Sequence, residues 1–252
     1  YCNQVASTVN QKYNGTFNLH LKIGLIKDAN GVYRLTQTPI DAYAGLRDEG
    51  TTYAATVGPD NDLLKDFQGT SYEIVSRFMP AEGTKKVGFK VRTGSNGEET
   101  LVVYDLEKDA ITLDRSKSGI QISGKFSETN SQTLGDLKQT TKAARNADGS
   151  IDLHVFVDAS SVEVFTNNYT VAGANQIFPL PTSQGASVVV EGAPCQADIQ
   201  IYNLASTWTD KADAETSIQS TDTLNQTLYT GKSKKLNVYV MPVTAPQDIL
   251  WS

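Results

Sequence analysis

Carboxylates are the plentiful reactive groups in this chain, with 28 Asp and Glu against two histidines and two cysteines. Glycoside hydrolysis needs a pair of carboxyl groups, one as acid and one as base or nucleophile. Asp105, Glu107 and Asp109 crowd one strand-to-turn stretch, and Asp158 and Glu163 flank another turn. On hairpins such residues more often serve as solvated edge charges that discourage edge pairing. His20 and His154 each sit in an alternating strand, the setting of a surface or sheet-face histidine, and no further ligands stand near enough in sequence for a metal site. Cys2 and Cys195 lack a neighbouring His or helix N-terminus that would lower a thiol pKa, so neither reads as a nucleophile. The two are candidates for a disulfide with each other, or Cys2 with a cysteine outside this chain; the sequence leaves both open. Gly94-Ser95-Asn96-Gly97 lacks the helix and lysine of a phosphate loop. No catalytic residue, metal ligand or cofactor site is predicted.

The elements that must position these residues are strands. Leu19, Leu21 and Ile23 alternate with His20, Lys22 and Gly24, and Asp28-Ala29-Asn30-Gly31 leads into Val32-Tyr33-Arg34-Leu35, a β-hairpin pattern. Pro39 ends it, and Asp41 to Arg47 predicts a short linking helix. Strands then follow thickly from about residue 51, over 71–78, 87–92, 99–106, 110–113, 150–157, 161–165, 186–190 and 197–204. Short strands at near-regular spacing predict an all-β, antiparallel sandwich or barrel. In the hairpin around Asp158-Ala159-Ser160, alternation sends Leu153, Val155 and Val157 to the core with Val162 and Val164 opposite. Asp158 and Ser160 are expected to bond turn amides and fix the register, with Glu163 a turn or surface partner facing outward. After Trp208 the chain turns polar, with a linker or short helix expected over 211–219 and a strand over 236–241.

A net charge of −6 argues against a nucleic-acid partner, because phosphate binding needs clustered Lys and Arg. No apolar run approaches the roughly 18 residues of a membrane span, so no membrane partner is expected. Three acceptor sequons, at Asn14, Asn168 and Asn225, in a Cys-poor chain point to a glycosylated, secreted or extracellular protein. The opening Tyr1-Cys2-Asn3-Gln4 has no initiator Met and no leader, as expected of a mature or cleaved chain.

Several stretches, in order, resemble the C-terminal part of glycoside hydrolase family 32, the invertases, inulinases and levanases. They are Tyr33-Arg34-Leu35-Thr36-Gln37-Thr38-Pro39-Ile40 with Ala44-Gly45-Leu46-Arg47; Val103-Tyr104-Asp105 through Asp114-Arg115-Ser116-Lys117-Ser118-Gly119; Leu153 to Asn167 around Val162-Glu163-Val164-Phe165; and Ile201 to Trp208. The resemblance implies an antiparallel β-sandwich preceded by the last strands of a propeller blade and followed by a C-terminal tail. Its divisions are 1–40 for the end of the blade, 41–50 for the linker helix, 51–208 for the sandwich and 209–252 for the extension. The family's catalytic carboxylates stand in an upstream propeller, in Asn-Asp-Pro-Asn, Arg-Asp-Pro and Glu-Cys segments, and this chain contains no Asp-Pro dipeptide. The resemblance therefore implies a retaining enzyme acting on sucrose or fructans, with catalysis outside this segment. Its implied partners are the upstream propeller, a fructoside substrate and further copies in a homo-oligomer. The competing expectation is a free-standing, lectin-like sandwich that binds sugar through Tyr13, Tyr53, Tyr72, Tyr169 and Trp251.

Overall fold

The computed structural model of the protein describes residues 17–28, 31–120 and 137–207, and the backbone of strands at 217–220 and 238–241. These belong to two units, one spanning 17–206 and one containing the last two strands. In the latter, Ser217–Ser220 pairs antiparallel with Val238–Met241, Ser217 standing opposite Met241. The strand expected near 240 is present, whereas residues 217–219, expected at the end of a linker or helix, lie in a strand.

The larger unit begins with a hairpin, β1 (Leu21–Lys27) and β2 (Tyr33–Pro39), in which Leu25 faces Leu35. The helix expected after Pro39 is a single 3₁₀ segment, Asp41–Leu46, without a side-chain cap. Its six residues cannot complete the second turn of an α-helix, and the backbone on both sides is extended. The sandwich follows. One sheet holds β3 (Thr51–Val57), β4 (Tyr72–Met79), β9 (Ile151–Val157), β10 (Ser161–Thr166), β11 (Val171–Gln176) and β13 (Cys195–Asn203), in the order β11-β10-β9-β4-β13-β3. The other holds β5 (Thr84–Thr93), β6 (Glu99–Asp105), β7 (Ala110–Lys117), β8 (Lys138–Lys142) and β12 (Gly185–Gly192), in the order β12-β5-β6-β7-β8. All pairs within these two sheets are antiparallel.

Period-two patterning builds the core. In β13, Cys195, Ala197, Ile199 and Ile201 are buried while Gln196, Asp198 and Gln200 are exposed. Leu153, Val155 and Val157 of β9 meet Ile74 and Phe78 of β4 and Val162 and Val164 of β10 in one apolar cluster, joined from the second sheet by Val87, Phe89, Val102 and Leu113. The rings of Phe78 and Phe89, one from each sheet, lie 5.7 Å apart. The outer face of the six-stranded sheet departs from simple alternation: Glu73, Phe156, Glu163 and Phe165 are also buried. Something covers that face, and it is the segment entering the sandwich.

Candidate functional site

The covering segment is Leu19 and His20, just before β1, together with the 3₁₀ linker. Leu19 N–H donates to Glu163 Oε1 at 2.9 Å, and His20 N–H donates to the Tyr43 hydroxyl at 2.9 Å. The Tyr43 ring stands edge-on to Phe156, centroids 5.8 Å apart. Arg47, just past the linker, crosses the sheet and fixes Glu73 with two hydrogen bonds, Nε to Oε2 at 2.7 Å and Nη2 to Oε1 at 2.6 Å. Its guanidinium also lies 4.6 Å from the centroid of the Tyr202 ring. That ring occupies the space beside Gly50, whose φ is +65° and whose added Cβ would fall 2.4 Å from it. Asp48 and Asn203 exchange backbone and side-chain bonds, and Ala205 N–H reaches Leu46 O at 2.8 Å, so the linker is stitched to the end of β13.

Glu73 takes a third bond from His154, Nε2 to Oε1 at 2.5 Å, and His154 Nδ1 lies 3.1 Å from the Tyr169 hydroxyl. An ionised carboxylate has no proton to give, so His154 Nε2 is the donor to Glu73. Tyr169 reaches back over the sheet because Asn167, Asn168 and Tyr169 all adopt positive φ, between 45° and 59°. Asparagine tolerates that region and tyrosine rarely enters it. The turn is held by Asn167, whose Oδ1 accepts from Asp152 N–H at 3.0 Å and whose Nδ2 donates to Ala144 O at 2.6 Å. Tyr169 O in turn accepts from Gln37 N–H of β2 at 2.9 Å.

Two buried glutamates on one face thus have opposite electrostatics. Burial pushes the Glu73 carboxyl up, but Arg47 and His154 outweigh it and leave the group below the ordinary glutamate range. For Glu163 burial prevails over the single Leu19 amide, and its carboxyl is pushed up. Carboxyls whose pKa values are driven apart are the pattern of an acid–base pair. Neither lines the cleft on this face, which is bounded by His154, Phe165 and Tyr169; both glutamates are buried beneath the entering segment. Tyr169, placed like a nucleophile before His154 and Glu73, has its hydroxyl pKa raised by burial and by the Glu73 charge, so it is not activated. Together Arg47, Glu73, His154 and Tyr169 form a hydrogen-bonded hub that ties the linker to the sheet.

A second clamp lies at the end of the sandwich. Arg92, almost wholly buried with φ +51°, donates to four backbone carbonyls: Ser183 at 2.7 Å, Asp158 at 3.0 Å, Ala159 at 3.1 Å and Leu180 at 3.3 Å. It pins the β9–β10 turn from behind. Within that turn Asp158 Oδ1 accepts from Ala159 N–H at 2.8 Å, and the Ser160 carbonyl, rather than its hydroxyl, accepts from Ile177 N–H at 3.0 Å.

The sequence-predicted residues are therefore scattered. Glu163, expected as a turn or surface partner, is 7% exposed, because the segment at Leu19, just before β1, closes over the sheet face on which it stands. Tyr72, one of the aromatics available for sugar stacking, is fully buried in the core, and Tyr53 packs against it. Asp105 caps its own turn, accepting from Glu107 and Lys108 N–H. Cys195 is a buried free thiol, and burial raises its pKa to about 11. Asn168 is exposed at the β10–β11 turn, with Nδ2 donating to Asn146 Oδ1 at 3.1 Å. Asn14, Asn225, Cys2, Tyr13 and Trp251 lie outside the described residues. Among the described residues no cluster of His, Cys, Asp and Glu is disposed to hold a metal. Glu73, Arg47 and Arg92 were not singled out from sequence; the one usable signal was the Asn-Asn pair before Tyr169, which marks a left-handed turn.

Residues 42–206 match the family described as glycosyl hydrolases family 32 C terminal. A fructan beta-fructosidase of Streptococcus mutans is 50% identical over 257 residues, covering 100% of this chain and 17% of that protein. A levanase of a Bacillus species is 32% identical over 230 residues, covering 89% of this chain and 24% of its own length. The fold is that of the exo-inulinase from Aspergillus awamori, with a TM-score of 0.64 at 24% identity over 78% of this chain and 37% of that one. The chain thus spans a quarter or less of the two curated relatives named here. With its sandwich, its linker and its family match in register, the chain belongs to glycosyl hydrolase family 32, as a C-terminal domain of such an enzyme.

Proposed function

We propose that this chain is the C-terminal portion of a secreted enzyme that releases fructose from β-fructosides, sucrose or fructans, by a retaining two-carboxylate mechanism whose carboxylates lie in an upstream propeller. The segment contributes stability, a wall of the substrate cleft and oligomer contacts. The observation that carries this reading is the end-to-end match, at 50% identity, to a fructan beta-fructosidase of which this chain spans 17%.

Two features support the division of labour. Ile23, Leu25, Tyr33 and Leu35 of the β1–β2 hairpin are between 49% and 67% exposed, a density of apolar side chains that further propeller strands would cover. The hub then acts as the hinge pin of the domain junction: Tyr169 O on Gln37 and Glu163 on Leu19 join the blade remnant of residues 1–40 to the sandwich of 51–208. The outer edge of β3, Thr51–Val57, carries no charged residue to repel a second copy, which favours oligomer contacts there, alongside the extension of 209–252. Secretion is supported by the three sequons.

Fructose release measured on levan, inulin and sucrose tests the proposal. The 252-residue chain alone is expected to release none, and the longer enzyme that contains it is expected to release fructose with retained anomeric configuration. Hydrolysis by the chain alone would overturn the assignment of catalysis to the propeller.

A further inference from the structure

Two buried glutamates flank one aromatic ring on the outer face of the six-stranded sheet. Glu163 of β10 and Glu73 of β4 are both register partners of Phe156 of β9, one from each side. The Tyr43 ring of the linker stands edge-on to Phe156. The two carboxyls are supported in opposite ways. Glu73 accepts two bonds from Arg47 and one from His154. Glu163 accepts one, from Leu19 N–H, and among the described residues no cation acts on it. The charged and titratable groups of the surrounding elements are engaged elsewhere. On β9, His154 is bonded to Glu73 and Tyr169, and Asp152 pairs with Arg77 of β4. On the covering segment, His20 Nδ1 lies 3.1 Å from the Tyr43 hydroxyl, and Asp41 pairs with Lys22 of β1. Neighbouring β11 carries no ionisable residue.

We propose that these glutamates form a proton-gated seam, in which the entering segment is held closed on the sandwich when Glu163 is protonated and Glu73 is ionised. A carboxylate buried with one amide donor and no cation loses more hydration than it regains. The closed seam therefore favours the neutral acid at Glu163, and lifting Leu19 away admits the water that lets it ionise. Glu73 needs its charge, because Arg47 commits both Nε and Nη2 to it and the linker is fastened through that pair. The two signs differ accordingly. Burial raises the Glu163 carboxyl, so the hold weakens as pH climbs from the ordinary glutamate range through the closed-state value. Arg47 and His154 keep Glu73 below that range, so its hold is lost as pH falls through the lowered value. Mildly acidic solution satisfies both conditions at once. Leu19 leads directly into β1, so the state of the seam sets how firmly the β1–β2 hairpin is carried on the sandwich. The seam lies wholly within this chain and owes nothing to the fructoside reading.

Hydrogen exchange at the Leu19 and His20 amides of the 252-residue chain, corrected for intrinsic rate across about pH 3–8, tests the proposal, with the Val155 amide of β9 as the core reference. Protection is expected to peak in mild acid and to fall about fivefold toward neutral pH, and again toward the acid end, while Val155 stays better protected throughout. Glu163→Gln, neutral at every pH, is expected to abolish the fall toward neutrality and to keep the acid limb. Arg47→Lys retains the charge without the paired donors and is expected to move the acid limb to higher pH. His20→Gln is expected to leave both limbs in place, which separates Glu163 from the other titrating group of the segment. A flat or monotonic profile in the wild type, a neutral limb that survives in E163Q or vanishes in H20Q, or an acid limb unmoved in R47K would overturn the proposal. Loss of protection at Leu19 in step with Val155 would overturn it equally, since the segment would then open only with the whole fold.

Discussion

Replacing Glu73 by Gln removes one negative charge from a site where three donors converge. The side chain is fully buried, and its oxygens accept bonds of 2.6 and 2.7 Å from Arg47 and 2.5 Å from His154. Hydrogen bonds to charged groups contribute about 1.5–3 kcal/mol each, and breaking a buried pair by removing one partner costs about 3–5 kcal/mol. The Arg47 side chain keeps 28% of its surface in solvent, which moves the expectation to the lower end, about 3 kcal/mol. For a unit of this size that lowers Tm by roughly 6–12 °C. Differential scanning calorimetry of E73Q, R47M and the double variant gives the coupling directly. The double variant is expected to lose about 1.5–3 kcal/mol less than the sum of the singles. The pH dependence has a definite sign. The folded-state pKa of Glu73 lies below its unfolded value, so the stabilisation is complete above the ordinary glutamate range and lost as pH falls through the folded pKa. The gap between wild type and E73Q is therefore expected to narrow as pH is lowered below about 4. A Tm for E73Q within about 1 °C of wild type at neutral pH, or strictly additive effects in the cycle, would refute the view that this cluster clamps the linker.

Glu163 supplies the opposite sign. Its folded-state pKa is raised by burial, so the ionised group weighs against the fold once pH exceeds its unfolded pKa. Glu163→Gln keeps an oxygen for Leu19 N–H and is expected to raise stability at neutral pH by up to about 1 kcal/mol, with no difference from wild type in acid; thermal melts across pH 3–8 would count against this if the variant were less stable at every pH. Arg92→Lys retains the charge and cannot span four carbonyls, so several buried acceptors lose their donor. A loss of about 2–4 kcal/mol is expected, read by denaturant unfolding, and an unchanged midpoint would show that the carbonyls are satisfied without it.

Much of the sandwich was legible because its inward residues recur at every second position. β13 buries Cys195, Ala197, Ile199 and Ile201 and exposes the residues between them, and the inward Leu153, Val155 and Val157 of β9 and Val162 and Val164 of β10 follow the same period. β8, Lys138–Lys142, is exposed along its whole length and β11, Val171–Gln176, is made of small and polar residues, so neither carries a hydrophobic signature; pairing with a neighbour creates them. The hub was illegible for a related reason. Glu73 occupies an outward position in β4, where alternation predicts solvent, and it is buried by an arginine 26 residues earlier and a histidine 81 residues later. Alternation reports which face a residue takes, not what lies across that face. The linker, none of whose 3₁₀ residues is buried, gave no local sign that it would lie across the sheet. The resemblance of the Leu153–Asn167 hairpin to its family was the strongest guide to fold, and the clamp beneath it is written in contacts between distant segments.

The covering of one sheet face by the entering segment also bears on how such enzymes can be recombined. The family match begins at residue 42, yet Leu19, His20 and Gln37 supply bonds that bury Glu163, position Tyr43 and tether Tyr169. A chimera that exchanged residues 42–206 between relatives would inherit the acidic and aromatic face of one parent beneath the Leu19–His20 and Gln37 backbone of another. A crossover upstream of Phe17 carries both halves of the seam together. The heritable module is thus longer than residues 42–206 and reaches back at least to Leu19.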